Sequence, residues 1–122
     1  MFAADQIVAH LVGDYLLQLH WMATEKVRNS LAAAVHAVTY TLPFAFITWS
    51  LPALALIGAT HFVVDRWRLA RFVVWAKNGA RGPITATGYT DDVPPWLSVW
   101  LLIIADNVLH ILINGAVLQA FA

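Results

Sequence analysis

Residues 96–121 read WLSVWLLIIADNVLHILINGAVLQAF, 26 residues with one formal charge, Asp106. A bilayer crossing takes about 20 residues of helix, so this stretch reads as a transmembrane span. Residues 30–50, SLAAAVHAVTYTLPFAFITWS, carry no formal charge and read the same way. Apolar stretches at 3–22 and 52–76 complete an expected all-α, four-helix transmembrane bundle, a single domain over residues 1–122. Asp5, His10 and Asp14 interrupt the first span, which is compatible with an interfacial position for part of it. Pro43 is expected to kink the second span, and Pro52 suits the first turn of the third. Asp92, ahead of Pro94 and Pro95, reads as the N-cap of the fourth. The stretch 77–95, KNGARGPITATGYTDDVPP, has the Gly and Pro content of an irregular loop.

Composition agrees. The chain is 61% apolar and 11% charged, where an ordinary soluble domain carries about 25% charged residues. Richness in aromatic and branched residues excludes disorder. Seven basic and seven acidic residues leave no positive excess, which argues against nucleic acid as a partner. The absence of cysteine excludes disulfides, thiolate metal sites and a cysteine nucleophile. The N-terminus lacks the basic region and cleavage site of a signal peptide.

Lys and Arg set the expected orientation. Lys26 and Arg28 lie between spans one and two. Lys77 and Arg81 follow span three, with Arg66, Arg68 and Arg71 near the same end, and the hairpin between spans two and three has no basic residue. Both basic connections, including loop 77–95, are therefore expected in the cytoplasm, with both termini outside. Trp21, Trp75 and Trp96 would mark the inner interface and Trp49 the outer one.

The informative residues are those a lipid-facing helix avoids. His10 and Asp14, His61 and Asp65, and Asp106 and His110 are pairs spaced by four, and His36 lies on the second span. Spacing of four puts both members on one helical face. Ionisable groups within a span cost several kcal/mol unless they face the bundle interior and find partners. Their depths agree within about two helical turns. In the expected topology every Asp is nearer the cytoplasm and every paired His one turn deeper. These faces are expected to converge on a divalent metal, with His10, Asp14, His36, His61, Asp65, Asp106 and His110 as ligands. Imidazole and carboxylate are suited to zinc first, then to iron or manganese. Seven donors exceed one tetrahedral shell, so two ions bridged by an Asp are a further expectation. The competing reading is a metal-free polar network or proton relay. Gln6, Gln18, Tyr40 and Asn114 are natural partners for the ligands, or ordinary interhelical hydrogen-bonding groups. His20, beside Trp21, reads as interfacial rather than as a ligand.

The segments HLVGDYLLQLHWMATEK, LAAAVHAVTY, HFVVD and DNVLH together resemble a family of small bacterial and phage integral membrane proteins, domain of unknown function 3307. The resemblance spans nearly the whole chain. It implies a four-helix membrane protein of a bacterium or its phage, hence of the bacterial inner membrane. The same seven polar positions map onto it, with Asn107 where Gln is expected. It supplies no reaction. A looser likeness to membrane-bound metal-dependent hydrolases is analogy only.

The leading expectation is a membrane-embedded metal-dependent hydrolase. A metal-activated water would attack an ester or phosphoester of an amphiphilic, lipid-like substrate from the cytoplasmic side. Asp14, Asp65 and Asp106 are the candidate catalytic carboxylates. Arg68 and Arg71 are candidates for holding a substrate phosphate, against a plainer role in anchoring to headgroups. Arg68 follows His61 and Asp65 at offsets of seven and three. Loop 77–95, with Asp91 and Asp92, is placed to cover the mouth. The alternatives are a proton or metal-ion transporter and an accessory membrane protein with a stabilising metal. The partner in every case is the lipid bilayer. Homo-oligomers are compatible with the Ala32–Ala34 face, which suits packing within one subunit equally.

Overall fold

The computed structural model describes residues 3–122. Among the described residues six α-helices run in order: α1 (Ala4–Leu11), α2 (His20–Glu25), α3 (Ser30–Thr41), α4 (Leu51–Arg66), α5 (Ala70–Lys77) and α6 (Pro95–Phe121). There is no strand among the described residues. α3 and α4 form a hairpin, α6 packs against α1, α4 and α5, and α2 packs on α3.

α6 matches the stretch expected at 96–121, and among the described residues it alone is long and apolar enough to cross a bilayer. The spans expected at 3–22 and 52–76 are not continuous helices. α1 widens into a π-helical turn over Val12–Leu16, closed by the Leu17 N–H donating to the Val12 carbonyl at 3.0 Å. The chain then leaves the helix, passes through an extended Leu19 and starts again as α2. α4 ends because Arg68 adopts a left-handed conformation, φ +49°. Its N–H donates to the Asp65 carbonyl at 3.3 Å, and the Leu69 N–H donates to Val64 at 3.0 Å. That pair of bonds is the usual helix-ending arrangement, with Arg where Gly is the common choice. A non-glycine residue there costs about 1 kcal/mol.

The second span is also modified. α3 stops at Thr41 and tightens into a 3₁₀ turn over Leu42–Phe46 that carries Pro43. Asn29 caps α3 by accepting from the Leu31 and Ala32 N–H groups, and Ser50 caps α4 by accepting from Ala53. Pro52 lies in the first turn of α4, as expected. Asp92 does not cap α6. That helix begins at Pro95, the cap position falls to Pro94, and Asp92 accepts instead from the Thr90 hydroxyl.

The interior mixes polar with apolar side chains. His10, His36, His61, His110, Gln6 and Asn114 are all fully enclosed, together with Tyr40, Phe44 and Ile57. Large apolar side chains stand on the outer surface: Phe46 is 94% exposed, Trp49 92% and Leu51 76%. Ala32 and Ala33 are buried within the chain, so this face packs in the subunit.

Candidate metal centre

Four elements bring the ionisable residues together. The π turn carries Asp14, α3 carries His36, α4 carries His61 and Asp65, and α6 carries Asp106 and His110. The wide turn depends on Gly13. A Cβ there would stand 2.6 Å from Tyr40 Cδ2 and 2.9 Å from the Tyr40 carbonyl, so only glycine lets this turn lie against α3. Such turns are frequent at functional sites, and this one sets Asp14 beside the imidazoles.

Asp14, His36, His61 and Asp65 each offer one ligand atom, and these atoms all lie within 4.8 Å of one another. His36 Nε2 lies 3.0 Å from Asp14 Oδ1 and 3.2 Å from Asp65 Oδ2. His61 Nε2 lies 3.3 Å from Asp14 Oδ1 and 3.1 Å from Asp65 Oδ2. The two Nε2 atoms are 2.9 Å apart. Ligand atoms around a tetrahedral ion with 2.0 Å bonds are separated by about 3.3 Å. Adjacent ligands around a six-coordinate ion with 2.1 Å bonds are separated by about 3.0 Å. The separations between these atoms suit a first-row divalent cation of either geometry.

A second group, Asp14, Asp106 and His110, overlaps the first at Asp14. Here His110 Nε2 is 3.5 Å from Asp106 Oδ2 and 3.1 Å from Asp65 Oδ1. The two groups touch through their imidazoles, with His61 Nδ1 and His110 Nδ1 3.2 Å apart.

His10 falls outside both groups. Its Nδ1 lies 2.7 Å from the Tyr40 hydroxyl and its Nε2 2.7 Å from Asn107 Oδ1. Asn107 donates through Nδ2 to the Tyr15 hydroxyl and the Ile103 carbonyl, which leaves Oδ1 as the acceptor facing His10. His10 therefore carries its proton on Nε2 and accepts from Tyr40. Tyr40 in turn accepts from Asn114 Nδ2 at 2.7 Å. Both ring nitrogens are taken, and Asp14 Oδ2 stands off at 3.8 Å. Gln6 donates to the Ile111 carbonyl and Gln18 to that of Asp14. His20 opens α2 on the exposed surface.

The carboxylates open onto a cavity of about 320 Å³, lined by Asp14, Asp65 and Asp106 together with Lys26, Arg68 and Gln18. Both helix interruptions lie at this cavity, since Gln18 and Arg68 belong to them. On the opposite side the cluster is closed. The Tyr40 ring stacks on His61, and Phe44, Ile57 and Ala9 pack against Tyr40. Loop 77–95, expected over the mouth, supplies no lining residue, and Asp91 and Asp92 stand apart from the site. Gly88, at φ +82°, holds that loop on α5, where a Cβ would collide with the Arg71 carbonyl.

Of the two candidate arginines, Arg68 lines the cavity. Arg71 does not, and its guanidinium lies 4.9 Å over the Phe72 ring. Arg66 ties the α2–α3 connection to α4, donating to the Val27 carbonyl at 2.7 Å and to Ser30 Oγ at 3.2 Å. One residue escaped the sequence reading. Lys26, taken there only as a marker of orientation, places Nζ 2.7 Å from Asp65 Oδ2. Burial disfavours its ammonium, but Asp65 and Asp14 outweigh that, and its pKa lies above the ordinary lysine value. No spacing rule connects residues 26 and 65. The one available signal was a lysine near the end of a span that holds carboxylates.

A model of a protein family described as of unknown function, DUF3307, matches residues 2–121. No curated protein and no solved structure matches the chain.

Proposed function

Since the chain belongs to DUF3307, whose description assigns no reaction, we propose from the site itself that it is a membrane-embedded, metal-dependent hydrolase. Its substrate is an ester or phosphoester of an amphiphilic, lipid-like molecule, taken from the cytoplasmic side of the bacterial inner membrane. One observation carries this reading: converging imidazole and carboxylate donors open on one side only, into a cavity with cations in its wall.

The membrane setting is supported by inverted polarity. Buried His, Asp, Gln and Asn with exposed Phe, Trp and Leu is the distribution expected when lipid is the solvent. α6 crosses in this reading, and α1 with its π turn, α3 with its 3₁₀ turn and α4 continued by α5 complete a four-helix transmembrane bundle whose interrupted helices border a polar cavity. Such interruptions are tolerated at membrane depth where they line one.

A divalent ion in the four-donor group would acidify a water and polarise the scissile group. Four protein donors complete a tetrahedral shell, so the reaction needs a shell expanded toward the cavity. A zinc, manganese or iron ion held by these residues would supply it by taking a further ligand from the cavity. Asp106, part-exposed on the cavity wall, is placed to take the proton of an attacking water. Arg68 and Lys26 supply positive charge where a phosphoryl group would enter. The three carboxylates outnumber the two cations of the wall, Lys26 and Arg68, so the cavity keeps the net negative charge that attracts a divalent ion. Transport would need a second opening, and the Tyr40, Phe44 and Ile57 packing supports a blind pocket instead.

The test is metal analysis of the detergent-purified chain beside Asp65→Asn, followed by turnover of lipid phosphoesters and carboxylic esters. Stoichiometric metal lost in Asp65→Asn, with metal-dependent release of product by the wild type, is the expected result. Absence of metal from both proteins overturns the reading.

A further inference from the structure

Two donor groups that share Asp14 invite a two-ion model, yet the contact between them argues against it. His61 Nδ1 and His110 Nδ1 face each other at 3.2 Å, and both rings are buried. Two imidazole nitrogens at that distance need one proton between them. Two protons would collide, and none would oppose two lone pairs. A neutral imidazole that offers Nε2 to a cation carries its proton on Nδ1. His61 and His110 therefore cannot both be ligands through Nε2 while they hold this contact.

We propose that the chain binds one ion, held by Asp14, His36, His61 and Asp65, and that His110 is a positioning residue rather than a ligand. This rests on the metal-dependent reading above. With the ion in the four-donor group, His61 Nδ1–H donates to His110 Nδ1. His110 Nε2–H then donates to Asp65 Oδ1, 3.1 Å away. The chain of bonds closes on a carboxylate whose other oxygen belongs to the donor group. Every nitrogen of His61 and His110 is satisfied, and His61 is fixed in the tautomer that ligation requires. With the ion in the second group both tautomers reverse, and three donors replace four. The two groups are alternatives, and the fuller one is the resident site. Asp106 then stays uncoordinated on the cavity wall.

The experiment is titration of the full chain in detergent with manganese chloride, and separately with zinc chloride, followed by gel filtration and metal analysis. One ion per chain at saturation is expected. Two ions per chain overturn the inference while leaving the hydrolase reading standing, and no ion at all overturns both. Electron-spin-echo spectra of the manganese form should show couplings from two imidazole nitrogens, those of His36 and His61; one nitrogen would place the ion with Asp106 and His110. Asp106→Asn should keep one ion while its turnover falls, and loss of the ion in that variant overturns the assignment. His110→Phe, which removes the acceptor for His61, should weaken ion binding about 10–100-fold, the range for loss of a ligand's orienting partner. His110→Gln, whose amide can accept from His61, should restore most of that loss. Equal loss in both His110 variants would mean that His110 is itself a ligand.

Discussion

The Tyr40 ring lies flat on the His61 imidazole, with centroids 3.5 Å apart and planes 12° apart. Its hydroxyl meanwhile serves His10 and Asn114. The two roles separate by substitution. Tyr40→Phe keeps the stack and leaves His10 Nδ1 and Asn114 Nδ2 without that partner, which costs about 1–3 kcal/mol for a buried polar group left unpaired. Tyr40→Ala also opens a cavity, for a total of about 3–5 kcal/mol. Thermal unfolding in detergent should rank the three proteins in that order, and Tyr40→Phe should retain its metal.

Gly13 and Gly58 make contrasting predictions. A Cβ at Gly13 meets the Tyr40 ring and main chain, whereas one at Gly58 meets Thr41 Oγ1 at 3.0 Å. Overpacking costs about 1–3 kcal/mol, and at Gly13 it also displaces the adjacent Asp14. Gly13→Ala should lose both stability and metal affinity, the latter by at least about tenfold. Gly58→Ala should cost less and leave metal affinity alone. Calorimetry with and without manganese checks both.

Lys26→Met removes the ammonium from Asp65. Without metal, the carboxylate is then left uncompensated, a loss of about 1–3 kcal/mol after allowance for partial exposure. With metal bound, the ion takes over that compensation. The gap in unfolding temperature between chelator-treated and metal-loaded protein should therefore widen in Lys26→Met. An unchanged gap would mean that Lys26 and the ion do not share Asp65.

Arg68→Gly separates stability from function. Glycine relieves the left-handed strain and should stabilise the chain by up to about 1 kcal/mol. If the guanidinium grips a substrate phosphoryl group, KM should rise about tenfold, equivalent to about 1.4 kcal/mol. A rise in both stability and KM supports the proposed role, and an unchanged KM removes Arg68 from it.

Topology is open to a direct check. Reporters fused after Ala122 should be periplasmic and reporters inserted in loop 77–95 cytoplasmic. The reverse pattern would place the cavity on the outer face.

The convergence of His36, His61, Asp65, Asp14, Asp106 and His110 was legible because spacing of four and an apolar setting both report on helix faces. The interruptions of the first and third helices were not. The π turn depends on a close approach between Gly13 and Tyr40, residues distant in sequence. The end of α4 uses Arg68 at a position where glycine would have been the visible signal. His10 illustrates a further limit. Its spacing to Asp14 is the same as that of His61 to Asp65, and only Asn107 and Tyr40, contributed by other helices, divert it from the donor group.

The packing of Phe44 and Ile57 behind Tyr40 makes the pocket a cul-de-sac. In the proposed hydrolase reading, reactant and products would use the same doorway in turn. A released phosphate or acyl fragment would stay within reach of the cations that drew it in, so departure rather than bond cleavage would become the slow event. Such an enzyme would answer to the headgroup concentration around it, and would slow as its own products accumulated in the surrounding leaflet.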